Sequence, residues 1–379
     1  MKVLFLTASY PVPEQPLLGI FVKEHARAAA RHAEVAVAHI DRNDHVRRIH
    51  IADGGDDEFP SVRARYPASP APLSYASNIA AAGLAYRRLG REGFVPDVIH
   101  AHFFLAAVPA VLLGRLLGKP VVVTEQWSVF LPDDPMSLSP TMRRVARFAF
   151  EHADVVMPVS SALRDGIISL GTKTDFRVVP NVVDTARFHP AVDGTRNGAP
   201  RRLIGIGALY EAKGWEYLIE AIALVARTRR DFQLDLVGDG LQRGELEALV
   251  ARLGVTELVA FHGWLPKEEV AERLRDSDVF VITSRYDSNP CAVIEALASG
   301  VPVVGTAVGG IPDMVADGLG LLAKPRDPES IARQIEAALD EPEAWDRAAI
   351  ARTARERYGI ESVGRSFASI YEEVIARAR

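Results

Sequence analysis

The chain is 379 residues long, 48% apolar and 25% charged, with 44 Lys plus Arg against 49 Asp plus Glu and a formal net charge of −5. That length implies two or three domains, and the mix is globular, not disordered, collagenous or coiled-coil. There is no basic surplus for sequence-independent nucleic-acid binding, the single cysteine, Cys291, excludes an internal disulfide, and no His/Cys cluster has metal-ligand spacing.

The N-terminal apolar run is too short for a signal peptide and reads as a strand over 3–7. Gly19 opens a helix over 20–32, where a missing Cβ lets backbone N–H groups approach a ligand, although an ordinary loop glycine is the plainer reading of that residue alone. A strand follows over 35–40. Residues 41–60, charged and carrying Gly54-Gly55, read as a long loop. A helix over 73–91 leads to a strand over 98–101, at whose end His102 would either face a ligand cleft as a polar contact or simply cap the strand end. The longest apolar stretch, 103–114, is broken by Pro109 and stopped by Arg115, short of the ~20 residues a membrane-spanning helix needs. The reading is therefore a cytoplasmic protein. Helix 105–117, strand 121–124 with Glu125-Gln126-Trp127 at its end, helix 137–152, strand 155–159, helix 161–170 and strand 176–179 complete this half. On helix 137–152, Arg143, Arg144 and Arg147 read as a solvated face.

Residues 185–202 lose apolar periodicity and gather turn residues, so they read as a linker between domains 1–184 and 203–358. The second half repeats the alternation, with strands over 203–207, 234–237, 259–261, 279–283 and 303–305. Its helices are expected over 214–229, 242–253, 266–275, 290–299 and 328–340. Near-continuous Val/Ile strands between amphipathic helices predict an α/β protein. Two doubly wound, Rossmann-like domains would face each other across a cleft, with ligand at the carboxyl ends of the strands.

Two features carry chemistry. Asp287 and Glu295 are separated by seven residues, with Asn289 as a candidate N-cap and Pro290 as the first helical residue between them. Glu295 is a lone carboxylate on an apolar helix and needs a partner. Either a vicinal diol such as a ribose or an ion pair would satisfy it. Lys213, in Gly207-Ala208-Leu209-Tyr210-Glu211-Ala212-Lys213-Gly214, precedes a helix whose dipole opposes it unless an anion meets both. A solvated loop lysine is the plainer alternative. Dinucleotide binding is disfavoured, because no Gly-x-Gly-x-x-Gly follows the first strand and the near misses at Gly205 and Gly238 lack the third glycine. Asp276-Ser277-Asp278 precedes its strand, so it would lie away from the cleft.

Taken together, these residues resemble the retaining glycosyltransferases of the GT-B fold, glycosyltransferase family 4. The resemblance rests on Asp97-Val98-Ile99-His100-Ala101-His102, Val179-Pro180-Asn181-Val182-Val183-Asp184, Leu236-Val237-Gly238-Asp239-Gly240, Phe261-His262-Gly263 and Gly309-Gly310-Ile311-Pro312-Asp313, besides the paired acids. It implies a catalytic set of Lys213, Asp287 and Glu295. It further implies a donor-binding set of Gly19, Gly207, Lys213, Gly238, His262 near the nucleobase, Ser288, Asn289 and Glu295 on the ribose, with His102 and Gln126 on the substrate side. No metal and no cofactor beyond a nucleotide-diphosphate-sugar donor is implied, and the last segment, 359–379, should return to the first domain. The implied reaction is retaining, hexosyltransferase-type transfer to a glycan, lipid-linked or small-molecule acceptor, without nucleic acid. The chain is similar to a branch that builds exopolysaccharides and envelope glycans, which adds a peripheral contact at the inner membrane face. Three residues depart from the family: Asp287 stands where Glu is usual, Ala208 where an arginine is, and Gln126 where a histidine is. The alternative is a degenerate relative that binds nucleotide-sugar or a partner without turnover. An inverting, epimerase-like GT-B enzyme is disfavoured by the spacing of the acids.

Overall fold

Valines, leucines and isoleucines that reject water on both faces build two sheets, one mostly and one wholly parallel, each inside its own unit. The computed structural model describes residues 1–16, 18–70, 73–191 and 200–378, and the chain divides into two units. The first holds 1–130, 136–182 and 360–379, and the second 131–135 and 183–359. Residues 192–199 of the expected linker lie outside the described residues.

The first unit begins with β1 (Lys2–Thr7), α1 (Ile20–Ala29), β2 (Glu34–Asn43), β3 (His50–Asp53), β4 (Ser61–Pro67), α2 (Leu73–Arg91) and β5 (Val98–His102). It continues with α3 (Phe104–Leu117), β6 (Val121–Glu125), α4 (Pro140–Glu151), β7 (Val155–Pro158) and α5 (Ser161–Ser169). Its sheet runs β3-β4-β2-β1-β5-β6-β7, with only the β3–β4 pairing antiparallel among the described strands.

The second unit holds β8 (Arg201–Ile206), α6 (Trp215–Val225), β9 (Phe232–Val237), α7 (Arg243–Arg252), β10 (Val259–Gly263), α8 (Lys267–Arg275) and β11 (Val279–Ile282). It continues with α9 (Cys291–Ala298), β12 (Val303–Thr306), α10 (Ile311–Val315), β13 (Gly320–Ala323), α11 (Pro328–Asp340) and α12 (Arg347–Tyr358). The order is β10-β9-β8-β11-β12-β13, all parallel. This is the doubly wound order, whose direction of winding switches between β8 and β11.

The last helix, α13 (Ile360–Ala378), belongs to the first unit. It buries Val363, Phe367, Ile370, Tyr371 and Val374, one stripe at helical spacing, in the core that also takes Val22, Ala26 and Ala29 of α1. Gly364 makes the helices' close approach possible, since a Cβ there would stand 2.4 Å from the carbonyl oxygen of Ala28.

Three expectations are corrected. The loop expected over 41–60 carries the end of β2 and all of β3, and β4 follows it. Strand β4, one strand in from the sheet edge, buries Val62, Ala64 and Tyr66 and places the half-buried Arg63 and Arg65 on its other face, a period-2 pattern without the continuous apolar run of the central strands. The strand expected over 176–179 is a single bridge, Val156 to Phe176. The N-cap of α9 is Pro290, not Asn289, so the helix starts one residue later than expected.

Candidate functional site

In the second unit the loops after β8 and β11 leave the sheet on either side of the switch point, where parallel sheets open a crevice. Gly214, at φ 61°, turns the chain between a short 3₁₀ turn (Glu211–Lys213) and α6, with its α-carbon so close to the other loop that a Cβ would meet the Thr283 carbonyl oxygen at 2.4 Å. The Thr283 hydroxyl donates to the carbonyls of Lys213 (3.2 Å) and Gly214 (2.9 Å), and the Arg285 N–H donates to the Ala212 carbonyl (2.8 Å). Arg285 itself is held by Glu216 and Glu211. The two loops are thereby locked together, and Lys213 Nζ lies 2.5 Å from Asp287 Oδ2, which also accepts from Ser284 Oγ at 3.3 Å. Lys213 is thus paired, not a solvated loop lysine.

The Asp287 backbone is fixed from a third strand end. Its carbonyl accepts from the Gly310 N–H at 3.0 Å, and a Cβ on Gly309 (φ 51°) would stand 1.8 Å from that carbonyl oxygen. Ser288 and Asn289 follow, both buried, and Ser288 Oγ has no hydrogen-bond partner among the described residues. Two turns of α9 later, Glu295 is 6% exposed and forms an ion pair with Lys267, the first residue of α8, whose ammonium sits 5.7 Å over the Phe188 ring. The carboxylate read as solitary therefore has a charged partner. Lys267 was not singled out in the sequence because it sits in Lys-Glu-Glu-Val-Ala-Glu-Arg-Leu-Arg, where every charge looks solvated. Between the two pairs lies Cys291, whose thiol is pushed up to about 12 by burial and feels the charges of Glu295, Lys267, Asp287 and Lys213.

Three glycines line the neighbouring strand ends. The Gly207 N–H donates to the Val237 carbonyl (2.9 Å) and the Gly238 N–H to the Gly263 carbonyl (2.8 Å). Gly238, at φ 136°, would put a Cβ 2.0 Å from the Gly207 oxygen. His262 Nε2 lies 2.7 Å from Asp235 Oδ1, with Arg273 Nη1 3.6 Å from the other carboxylate oxygen. Asp276 and Asp278 stand at the opposite end of β11, where Asp278 Oδ2 accepts from the Arg202 N–H at 2.7 Å. Among the described residues no group of three or more His, Cys, Asp or Glu is placed to hold a metal ion.

The remaining expected residues lie in the first unit. Gly19, at φ 63°, caps α1, and a Cβ there would stand 2.5 Å from the Ser9 carbonyl, so close packing already explains the glycine. His102 is corrected: it is fully buried, stacked on Phe5 (5.1 Å) and His100 (4.4 Å), with neither ring nitrogen partnered among the described residues. Gln126 Nε2 donates to Asn181 Oδ1 at 3.0 Å and lies 3.4 Å from His25 Nδ1. Beside it, Glu125 is wholly buried and accepts from the N–H groups of Phe104, Gln126 and Trp127 at 2.8–2.9 Å. Burial outweighs those donors and pushes its carboxyl up to about 7.

Solved structures share this architecture. Sucrose-phosphate synthase from Thermosynechococcus elongatus aligns at a TM-score of 0.77 and 20% identity, covering 99% of each chain. Anabaena HepE aligns at 0.76 and 20%, covering 98% of this chain and 100% of that one. The fold class is accordingly GT-B, two Rossmann-like α/β domains. Residues 18–187 match Glycosyltransferase Family 4 and residues 192–357 match Glycosyl transferases group 1. A glycogen synthase of Mycobacterium tuberculosis is 30% identical over 286 residues, 73% of this chain and 68% of that one. A 2-deoxystreptamine glucosyltransferase of Streptomyces kanamyceticus is 30% identical over 272 residues, 66% and 70% of the two chains. The chain belongs to glycosyltransferase family 4. It is a glycosyltransferase, an enzyme of glycan biosynthesis. Among the described residues no helix is long and apolar enough to cross a membrane.

Proposed function

We propose that the chain transfers a hexosyl group from a nucleoside-diphosphate sugar to a hydroxyl of a glycan, free or lipid-linked, with retention at the anomeric carbon and without a metal ion. The reaction is placed in the cytoplasm, at the inner membrane face where the acceptor is lipid-linked. The observation that carries the reading is the Lys213–Asp287 pair, 2.5 Å apart at the switch point of the second sheet. A diphosphate arriving there competes for the Lys213 ammonium and frees Asp287 to accept from hydroxyls of the donor sugar. Glu295, held by Lys267 through Oε1, keeps its second carboxylate oxygen for the ribose. The similar Anabaena HepE was solved with UDP and with UDP-glucose, which supports a uridine donor.

In the step proposed, the bond from the anomeric carbon to the phosphate oxygen breaks on the face where the acceptor oxygen bonds. The acceptor's proton passes to the departing phosphate oxygen, and the charge growing on the diphosphate is met by Lys213. The test is transfer from a panel of nucleotide-sugars in excess EDTA, with the product's anomeric configuration read by NMR. The expected result is an α-linked product from an α-configured donor at undiminished rate. A β-linked product, or turnover restored only by magnesium or manganese, would overturn retention or metal independence respectively.

A further inference from the structure

Glu125, the last residue of β6, is wholly buried, and its carboxylate joins two loops at the carboxyl end of the first sheet. Oε1 accepts from the N–H groups of Gln126 and Trp127, both at 2.9 Å, and Oε2 accepts from the N–H of Phe104, the first residue of α3, at 2.8 Å. These are the loops after β6 and β5. Strand β5 lies beside β1, where the strand order of this sheet reverses, the place at which open sheets receive ligands. The turn after β5 is strained: Phe103 stands at φ 67° and ψ 146°, a region essentially confined to glycine. Such a conformation persists only where its surroundings hold it. No side chain of its own turn caps α3, and the Phe104 N–H is met by Glu125 from the neighbouring strand. On the second loop, the Gln126 side chain donates to Asn181 Oδ1 at 3.0 Å, and the Trp127 ring stacks 5.9 Å from Phe104 with 14° between the planes.

Capping a helix does not need a carboxylate here. In the same unit α4 and α5 are capped by the hydroxyls of Ser139 and Ser160. A buried charge is costly, and burial holds this carboxyl at about 7 against the pull of its three donors. What a carboxylate adds is capacity: two oxygens face three N–H groups on two loops, whereas each serine hydroxyl meets one. We infer that Glu125 is a positioning residue for sugar transfer: by joining the Phe103–Phe104 turn to the Gln126–Trp127 turn, it holds Gln126 at the angle the reaction requires. The inference rests on the transfer reaction proposed above, with Gln126 on the substrate side. A pH dependence follows. Protonation turns one carboxylate oxygen from acceptor into donor, so an N–H loses its partner and the join loosens as pH falls through about 7. The groups that meet Glu125 from α3, from its own loop and from the segment after β7 are uncharged: Phe104, Gln126, Trp127 and Val159, whose N–H donates to the Glu125 carbonyl. The buried histidines stand across the sheet. Thr124, one residue before Glu125, bonds His100 Nε2 at 2.7 Å, and successive residues of a strand face opposite ways.

Nucleotide release from UDP-glucose and from GDP-mannose, with methyl α-glucopyranoside and methyl α-mannopyranoside as acceptors, is compared in the wild type and Glu125→Gln at pH 8. UDP and GDP binding are measured by calorimetry on the same samples. With the donor that the wild type turns over, Glu125→Gln should lower kcat roughly 10–100-fold and leave donor KM and nucleotide affinity within about twofold, because a misplaced substrate-side group is felt in the chemical step. Its melting temperature at pH 8 should not drop, since the variant no longer buries a charge. Wild-type kcat should fall as pH drops through about 7, and Glu125→Gln should lack that inflection. Undiminished kcat in the variant, a lowered melting temperature with kcat intact, or the same inflection in both proteins would overturn the inference. A wild type that turns over neither donor counts against the donor reading alone. In that case, or if Glu125→Gln does not fold, hydrogen exchange decides. Protection of the Phe104, Gln126 and Trp127 amides in the wild type should fall between pH 8 and pH 6, and unchanged protection would overturn the inference.

Discussion

Lys213 faces a carboxylate, and a diphosphate in the same place would exchange one anion for a stronger one. The family's arginine is absent, since Ala208 stands there with its carbonyl accepting from Trp215 Nε1 at 2.9 Å. Removing one preorganised charge contact typically costs ~10²–10³ in rate. Lys213→Ala is therefore expected to lower turnover at saturating donor by about that factor with little change in melting temperature. Ala208→Arg in that background should recover part of it. Near-wild-type turnover of Lys213→Ala would remove Lys213 from the chemistry. Lys267 is predicted to act differently, because it satisfies a carboxylate that is only 6% exposed. Lys267→Met should cost about 1–2 kcal/mol in urea melts, discounted because the lysine itself is partly exposed. Lys267→Met with Glu295→Leu should regain most of that stability while nucleotide affinity stays weakened, by ~2–3 kcal/mol for two lost charge-assisted hydrogen bonds. Calorimetry showing full nucleotide affinity in the double variant would remove Glu295 from the ribose.

At the scale of elements, the site depends on backbone segments that touch. Gly309→Ala would force a methyl group against the Asp287 carbonyl at a positive φ. A loss of ~2–4 kcal/mol is expected, with weaker donor binding because Asp287 must move. An unchanged melting curve would show that the turn relaxes freely. The same elements show what a sequence can disclose. The central strands were legible because burial on both faces demands unbroken Val and Ile, as in Val121-Val122-Val123. Strand β4 hid because its buried Val62, Ala64 and Tyr66 alternate with arginines. The acids and Lys213 were visible as motif residues, whereas their partners were not. That Lys267 reaches Glu295 from another helix, and that Glu125 caps α3 from strand β6, are facts of tertiary packing with no local signature.

At the scale of the whole molecule, acid should act mainly through the first unit. Burial holds His25 at about 3, His39 at about 4, and His100 and His102 well below the ordinary histidine value. The folded chain keeps all four neutral, while the unfolded chain protonates them below ~6.5, so each loses about 1.4 kcal/mol per pH unit below that value. Glu125 opposes them: raised to about 7, it is protonated in the folded state before the unfolded one, and gains stability as pH falls from 7 toward 4.5. Four groups against one make the fold less stable at pH 5.5 than at pH 7.5. Denaturant midpoints at the two pH values measure it, and a flat profile would show that the histidines are hydrated in solution. One further consequence concerns synthesis. Helix α13 supplies Phe367, Tyr371 and Val374 to a core whose other walls come from residues 3–182, and all of the second unit but 131–135 is translated in between. The first-made strands must therefore wait on the ribosome with a hydrophobic groove uncovered while the later domain folds ahead of them. The first unit should therefore complete its core after the second, and nascent chains should be held by chaperones until α13 is available.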